Sequence, residues 1–281
     1  MDKNNIYDDA IEVEMTTNAP IQEEFKYFKK LDNKSFYVIA FLVSLILFFF
    51  LNSVFQAIFI VAFEVKTPGF IEELQTYMAL GDYSLLSDQM WASITLPQFL
   101  GNLTLIVLLL VLLGKSLVAD FKKFRKDWLK NIGIIILSFG AILVGMNLIG
   151  SVYELLGIEG SSNNQELINY ALSSSTKYYM MISIVLFAPL LEELIFRKLL
   201  FGLVETSMKL SGIVAVIISS VVFAALHIDF SNLKDLVFIF QYLFLAGAIS
   251  FSYYKFDRNI YIPIGIHFLN NFLSLLVILF L

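Results

Sequence analysis

The sequence predicts an all-α fold, a polytopic transmembrane helical bundle. Of its 281 residues, 58% are hydrophobic and only 15% are charged, and the mean hydropathy is +0.79. Several apolar stretches reach the roughly 20 residues with which a helix crosses a bilayer, and soluble domains carry fewer apolar residues. We therefore expect an integral, multi-pass membrane protein, in the plasma membrane if the source is bacterial. Nothing indicates nucleic-acid binding, and the absence of cysteine excludes disulfides and Cys-ligated zinc.

Residues 1–32 are predicted to form a polar, mobile cytoplasmic tail. Acidic side chains such as Asp8 and Glu12 are followed by lysines such as Lys26 and Lys30, and such a composition favours a solvated segment. A partner-binding tail is the alternative. Because no short apolar segment with a small-residue cleavage site stands near the start, no cleaved signal peptide is expected.

Hydropathy predicts seven spans, with eight as the alternative count. In order they are Phe36–Phe63, Ile94–Val118, Ile132–Leu156, Tyr178–Val204, Ser211–Ile228, Leu236–Tyr254 and Ile260–Leu281. The segment Phe70–Leu80 is too short and polar to cross and is expected to lie along the interface as an amphipathic helix. Ser161–Asn164 is expected to be a polar turn in an outer loop.

Basic residues predict the orientation. The loop between the second and third predicted spans contains Lys122, Lys123, Arg125, Lys126 and Lys130, and further basic residues precede the first span and follow the fourth and sixth. The alternate loops hold only Lys66, Lys177 and Lys234, among many acids. The positive-inside rule therefore predicts a cytoplasmic N-terminus and a C-terminus on the far side.

Two adjacent carboxylates, Glu192 and Glu193, lie within the fourth predicted span, in Ala188-Pro189-Leu190-Leu191-Glu192-Glu193-Leu194-Ile195-Phe196-Arg197. A carboxylate at bilayer depth costs at least about 2.5–3.5 kcal/mol on insertion scales. Each of the two is therefore expected to have a compensating partner or a functional role. Glu193 precedes Arg197 by four residues, the favourable order for a helical ion pair. Glu192 points about 100° away from that pair, and its partner must come from another helix.

The only histidines, His227 and His267, are the candidate partners of Glu192. Phe223 stands one helical turn before His227, where its ring can pack on the imidazole, and Asn271 shares a helix face with His267. We therefore predict that the carboxylate and both rings converge on one point. With the ideal rise of about 1.5 Å per residue, the depths of Glu192, His227 and His267 in the membrane differ by up to about 14 Å. Helix tilt, a kink or a longer fourth helix would have to close this gap.

A glutamate, two histidines and an asparagine in an apolar cavity are suited to hydrolysis by activated water. The glutamate can act as the general base toward water. Two imidazoles can orient the water, bind a divalent metal or stabilise an oxyanion, and an asparagine amide can donate to the same oxyanion. There is no cysteine nucleophile, and the zinc motif His-Glu-x-x-His is absent.

Three motifs in order, Glu192-Glu193-x-x-x-Arg197, Phe223-x-x-x-His227 and His267-x-x-x-Asn271, resemble the signature of the CPBP family. These are the CAAX protease and bacteriocin-processing (Abi) intramembrane proteases. The resemblance covers about Tyr178–Asn271. We accordingly divide the spans into N-terminal helices, residues 33–177, and a catalytic CPBP-like core, residues 178–281.

The resemblance implies a membrane protease with its site in a cavity open to the cytoplasm. It implies that Glu192 activates water, that His227 and His267 position that water or a metal, and that Asn271 stabilises the oxyanion. Glu193, Arg197 and Phe223 would be supporting residues. A zinc ion held by His227, His267 and Glu192, as in a metalloprotease, and a metal-free glutamate mechanism both remain open.

The implied substrate is a membrane-associated peptide or protein. If the source is bacterial, peptide or leader processing or bacteriocin self-immunity is favoured over the trimming of prenylated tails. Two other classes of function remain as alternatives: a non-enzymatic membrane scaffold or immunity protein, and a proton-coupled transporter that uses the same ionisable residues as a relay. The sequence does not predict an oligomeric state.

Overall fold

The computed structural model describes residues 33–80 and 82–280, and every regular element within these ranges is a helix. The main helices there are α1 (Asn33–Lys66), α2 (Phe70–Leu80), α3 (Asp88–Lys126), α4 (Trp128–Leu155), α5 (Asn163–Ser173), α6 (Lys177–Ser207), α7 (Gly212–Ala225), α8 (Ile239–Lys255) and α9 (Tyr261–Phe280). Short 3₁₀ helices, Tyr83–Leu85 and Asp235–Phe238, precede α3 and α8. The predicted tail, residues 1–32, lies outside the described residues.

Six helical segments in the described part of the chain are long and apolar enough to cross a bilayer: α1, α3, α4, α6, α8 with its preceding 3₁₀ turn, and α9. The predicted all-helical, multi-pass membrane fold is therefore confirmed. The fifth predicted span, Ser211–Ile228, corresponds to α7, which has only 14 residues. At about 1.5 Å per residue, α7 is shorter than the roughly 30 Å hydrocarbon core, so the number of spans stays a prediction.

Local sequence explains where several helices begin. Ser87, Ser162 and Ser211 are N-caps whose hydroxyl oxygens accept hydrogen bonds from the first turns of α3, α5 and α7. The segment Phe70–Leu80 forms α2 as predicted. The turn expected at Ser161–Asn164 is shorter than predicted, because the Ser162 cap begins α5 at Asn163.

The α3–α4, α6–α7 and α8–α9 connections meet at one end of the bundle. There the Ser207 hydroxyl donates to the Lys34 carbonyl over 2.8 Å, and Arg258 pairs with Glu205 at 2.7 Å. The exposed basic residues of the α3–α4 turn lie at this end, which we call the basic end.

The α2–α3, α4–α5–α6 and α7–α8 connections meet at the opposite end. Thr95 and Thr176 share a 2.7 Å hydrogen bond there, and the Tyr153 hydroxyl donates to the Val237 carbonyl over 2.6 Å. We call this the acidic end because it exposes Glu72, Glu73, Glu154, Glu159, Glu166 and Asp229.

The largest core cluster joins α1, α3 and α6. Leucines repeat every four residues on α3 and form one buried face: Leu105, Leu109, Leu113 and Leu117. At the same interface Gly101 lies against Asn52 of α1. A methyl group added at Gly101 would lie 3.1 Å from the Asn52 backbone nitrogen and closer still to its side-chain oxygen. The close approach of α1 and α3 therefore depends on the missing side chain.

Helix α6 alternates between α-helical and π-helical turns, with π segments at Ser183–Phe187, Glu193–Leu200 and Leu203–Ser207. The Ala188 N–H bonds to the Ser183 carbonyl, five residues back. The next hydrogen bond of this π-helical pattern would join the Ile184 carbonyl to the N–H of residue 189, but Pro189 has no N–H. Instead, the Asn271 amide of α9 donates to the Ile184 carbonyl over 2.8 Å. Such π segments often occur at functional sites.

Candidate active site

Glu192 lies where α6 changes from an α-helical to a π-helical segment. Its carboxylate faces both histidines, with Oε1 at 3.9 Å from His227 Nε2 and Oε2 at 3.8 Å from His267 Nε2. The side chain is largely buried, and Oε2 has no hydrogen-bond partner among the described residues. The predicted convergence of the three side chains is therefore present in the structure, whereas their catalytic roles stay predictions.

His227 follows the end of α7 rather than lying within it, because the helix ends at Ala225. Its Nδ1 lies 2.8 Å from the Phe223 carbonyl oxygen. A carbonyl only accepts, so Nδ1 carries the hydrogen and Nε2 presents a lone pair to Glu192. The ring stacks on Phe223 at 4.4 Å and packs against Tyr242 at 5.0 Å. These contacts fix both the orientation and the tautomer of the imidazole.

His267 is held in the same way by a different partner. Its Nδ1 lies 2.8 Å from Glu193 Oε1, and it is buried on α9. Since Arg197 pairs with Glu193, that carboxylate is an acceptor, and Nδ1 of His267 donates to it. The second nitrogen, Nε2, again presents a lone pair to Glu192. In the neutral form neither histidine can donate from Nε2 to an oxyanion.

Glu193 and Arg197 form the expected ion pair, and both are fully buried. Arg197 Nε lies 3.0 Å from Glu193 Oε2, a charge contact without hydrogen-bond geometry. The guanidinium also donates through Nη2 to the Ala246 carbonyl over 3.2 Å and lies 4.7 Å from the centre of the Phe223 ring. Glu193 therefore connects Arg197 to His267.

Asn271 lines the cavity next to the glutamate and the histidines, but its hydrogen bonds go elsewhere. One amide hydrogen is used by the Ile184 carbonyl, and the amide oxygen accepts from Asn270 over 3.2 Å. The second amide hydrogen has no partner among the residues that the structure describes. Asn270 also lines the cavity.

The site lies at the inner end of a cavity of about 510 Å³, within the range of about 300–1,000 Å³ that is usual for ligand pockets. On α6 the lining residues recur every four positions, at Met180, Ile184, Ala188 and Glu192. The lining continues on α9 from His267 to Ile278. The cavity therefore runs from Glu192 toward the acidic end of the bundle.

The polar lining residues of α3 and α8 were not predicted from the sequence: Gln98, Gln241 and Tyr242. Tyr242 packs against His227, and its hydroxyl shares a 2.7 Å hydrogen bond with Ser162. Gln98 and Gln241 make no side-chain hydrogen bond within the described part of the chain. The signal that could have found them is a polar residue within an otherwise apolar span.

A polar network holds the mouth of the cavity at the acidic end. Buried Asp235 accepts hydrogen bonds from the backbone N–H groups of Asn163 at 2.8 Å and Asp229 at 2.6 Å. The Ser231 hydroxyl and backbone N–H bond to Asp229 and hold the pKa of its carboxyl below the usual value. The loop after α7 is thus fixed to the start of α5.

Comparison with known proteins agrees with the three motifs. Residues 174–273 match the family model described as Type II CAAX prenyl endopeptidase Rce1-like. The chain is 29% identical over 197 residues to YdiL of Bacillus subtilis (strain 168), a provisionally named membrane peptidase, covering 68% of this chain and 72% of that protein. It is 32% identical over 160 residues to the membrane-embedded CAAX protease MroQ of Staphylococcus aureus (strain USA300), covering 55% of this chain and 58% of that protein. No solved structure matches the chain significantly.

Proposed function

Because the chain belongs to the CPBP family of intramembrane proteases, we propose that it is an endopeptidase that hydrolyses membrane-associated peptides or proteins with water activated by Glu192. One observation carries this proposal: the Glu192 carboxylate faces the Nε2 atoms of both histidines at 3.8 and 3.9 Å inside a cavity. These separations suit a shared water, because a water lies about 2.8 Å from each hydrogen-bond partner.

In the proposed reaction Glu192 takes a proton from the water as the oxygen attacks the substrate carbonyl, and later delivers a proton to the leaving amine. The water has two hydrogens: one points to Glu192, and the other donates to the Nε2 lone pair of a histidine, which orients the water. An oxyanion needs donors, and the neutral histidines have none at Nε2. The second Asn271 amide hydrogen is therefore the proposed donor.

The residues fit a metal ion only in part. Two neutral imidazoles and one carboxylate match the ligand composition of catalytic zinc sites, and partners on both Nδ1 atoms are typical of metal-binding histidines. However, within residues 33–80 and 82–280 no three His, Cys, Asp or Glu side chains form a group that could hold a metal. The proposed reaction therefore uses Glu192 and water without a metal ion.

The test is the Glu192→Gln variant, which keeps the shape of the side chain but cannot take a proton from water. Turnover should fall by about 10²–10⁴-fold while the fold survives. Peptides from membranes of cells that express either protein would be compared by mass spectrometry. Glu166→Gln is the matched control, because Glu166 is exposed and lies outside the cavity lining.

An active Glu192→Gln protein would refute the mechanism and return the chain to the transporter or scaffold alternatives. A wild-type protein that cleaves nothing would favour the scaffold or immunity role.

Metal dependence requires a separate experiment. The proposed mechanism predicts that a chelator leaves turnover unchanged and that the purified protein holds no stoichiometric metal. His267→Ala should then lower the rate without altering metal content. If the chelator and His267→Ala both abolish activity and remove a bound metal, the zinc alternative holds and Glu192 becomes a ligand.

A further inference from the structure

Two glutamines in the helical bundle have no protein partner for their amides. Gln98 on α3 and Gln241 on α8 lie in segments long and apolar enough to cross a membrane, and both half-buried side chains line the cavity. Neither makes a side-chain hydrogen bond to a residue in the described part of the chain. Polar side chains of membrane helices generally bond to a neighbouring helix. These two amides are instead available to a molecule in the cavity.

The two amides belong to different walls of the cavity. Helix α3 packs against α6, which carries Glu192, whereas α8 packs against α7 and α9, which position the two histidines. On α8, Gln241 and Leu245 are one turn apart and both line the cavity, so one face of that helix forms the wall. A ligand that fills the cavity next to Glu192 therefore has an amide on two of its walls.

The rest of the lining is uncharged. Apart from Glu192 and the two histidines, it has only apolar and neutral polar side chains. A charged ligand group would lose its hydration there without gaining an opposite charge, except at Glu192. Glu192 would repel an acidic group, and a basic group paired with it would occupy the carboxylate that the proposed reaction uses. The lining therefore favours an uncharged ligand.

We propose that Gln98 and Gln241 are specificity-determining residues that bind the main chain of an extended, uncharged polypeptide segment in this cavity. The inference rests on the proposed peptidase function for the nature of the ligand. Each amide can donate and accept at once, which matches the N–H and C=O groups that alternate along an extended chain. Aliphatic residues such as Ile184 and Leu275 provide the apolar surface for its side chains. A purely apolar ligand, such as a lipid chain, would leave both amides without a partner.

Binding can be measured without turnover in the full-length Glu192→Gln protein, purified in detergent. This variant also removes the acidic group from the cavity lining. The probes are two pooled libraries of end-blocked octapeptides. One contains only uncharged residues, and each peptide of the other has a single Asp or Lys at one of its central positions. We expect the protein to retain the uncharged library at least about tenfold better, as measured by mass spectrometry.

Gln98→Leu and Gln241→Leu, each added to this background, should weaken retention of the uncharged library by about 2–10-fold, since a neutral hydrogen bond contributes at this level. Gln56→Leu is the matched control, because Gln56 is half-buried on α1, another membrane-crossing segment, but outside the cavity lining. Leucine is favoured in a membrane helix, so no melting temperature should fall. A fall for Gln98→Leu or Gln241→Leu would assign that residue a structural role and overturn the inference.

N-methylated peptides test whether the amides bind the main chain. Methylation of the central main-chain nitrogens removes the N–H donors. The loss caused by Gln98→Leu or Gln241→Leu should then be smaller, because two changes at one contact are not additive. An equal loss with both sets of peptides would show that the amides bind side chains and would overturn the main-chain assignment.

The inference would also be overturned by no retention of either library, by equal retention of both, or by glutamine variants that retain as much as their parent. Stronger retention by these variants would favour an apolar ligand instead. The arms separate this inference from the proposed function. Glutamine-dependent retention with no cleavage by the wild-type protein would support the binding site and overturn the peptidase function.

In the catalytically active protein, the same inference predicts that Gln98→Leu and Gln241→Leu raise KM with little change in kcat, because the contacts are made in the bound substrate as well as in the transition state. Cleavage that depends on Glu192 but proceeds with unchanged kcat/KM in both variants would overturn the inference and leave the peptidase function standing.

Discussion

The Arg197 side chain compensates the buried charge of Glu193, and its loss should destabilise the protein. Arg197→Ala would leave a fully buried carboxylate without its cation, which typically costs about 3–5 kcal/mol. We expect less folded protein in the membrane, a lower melting temperature in detergent and reduced activity. Fluorescence-detected size-exclusion chromatography over a temperature series would measure the first two.

Arg258→Ala is the matched control for Arg197→Ala. Arg258 also pairs with a glutamate, Glu205, but its side chain is 43% exposed, and exposed ion pairs contribute little to stability. If both variants keep the wild-type expression and melting temperature, Arg197 does not have the structural role assigned to it.

The candidate site was predicted from the sequence at the level of residue type, because acids and histidines are rare within membrane spans. Glu192, His227 and His267 meet in the structure. The sequence did not predict which ring nitrogen of each histidine carries the hydrogen. The tautomers of both histidines depend on the Phe223 carbonyl and the Glu193 carboxylate, and those contacts exist only after the helices pack.

At the scale of helices, the contact between α1 and α3 should tolerate no side chain at Gly101. Gly101→Ala would force its new methyl group against Asn52, and overpacking of this kind typically costs about 1–3 kcal/mol. A lower melting temperature in detergent is the expected result. Gly114→Ala is the control, since Gly114 lies on the same helix with nothing within 4 Å of an added Cβ. Equal melting temperatures for the two variants would contradict the predicted collision.

Helix α6 shows what hydropathy could and could not predict. The apolar run predicted its position, since the expected Tyr178–Val204 lies within Lys177–Ser207. The π-helical segments were not predicted, because an all-round apolar sequence has no periodic signal that separates α from π turns. Their hydrogen bonds depend partly on another helix, as the bond from Asn271 to Ile184 shows.

The depth mismatch of about 14 Å, calculated from ideal helix rises, does not exist in the structure. It assumed that His227 lies within a long fifth span and that the fourth is a regular α-helix. In fact α7 ends at Ala225, before His227, and α6 continues to Ser207 with π turns. Each difference changes the depth calculated from the sequence.

At the scale of the whole molecule, the charge asymmetry predicts opposite locations for the two termini. A fluorescent protein fused to the N-terminus should fold in the cytoplasm, and alkaline phosphatase fused after Leu281 should be active, since it folds only outside. The exchanged fusions, with each reporter at the other terminus, are the controls. An inactive C-terminal phosphatase with a fluorescent C-terminal fusion would indicate an even number of spans.

Composition was enough to predict a multi-pass helical bundle, because about 20 apolar residues in a row have few alternatives to a membrane span. The expected interfacial location of α2 and the oligomeric state remain predictions. The direction in which the cavity opens could not be derived from hydropathy, because it depends on which helices are separated from one another at the acidic end.

The buried layer behind Glu192 also affects the electrical behaviour of the protein. On α6 the cavity lining ends at Glu192, and the next eight residues of that helix are buried, so within the described part of the chain this helix closes the cavity toward the basic end. Moving one elementary charge across the whole membrane involves about 2.3 kcal/mol per 100 mV. Protons that Glu192 exchanges with water would enter and leave through the same mouth and cross little of that potential. Hydrolysis at this site should therefore neither dissipate an ion gradient nor respond to one.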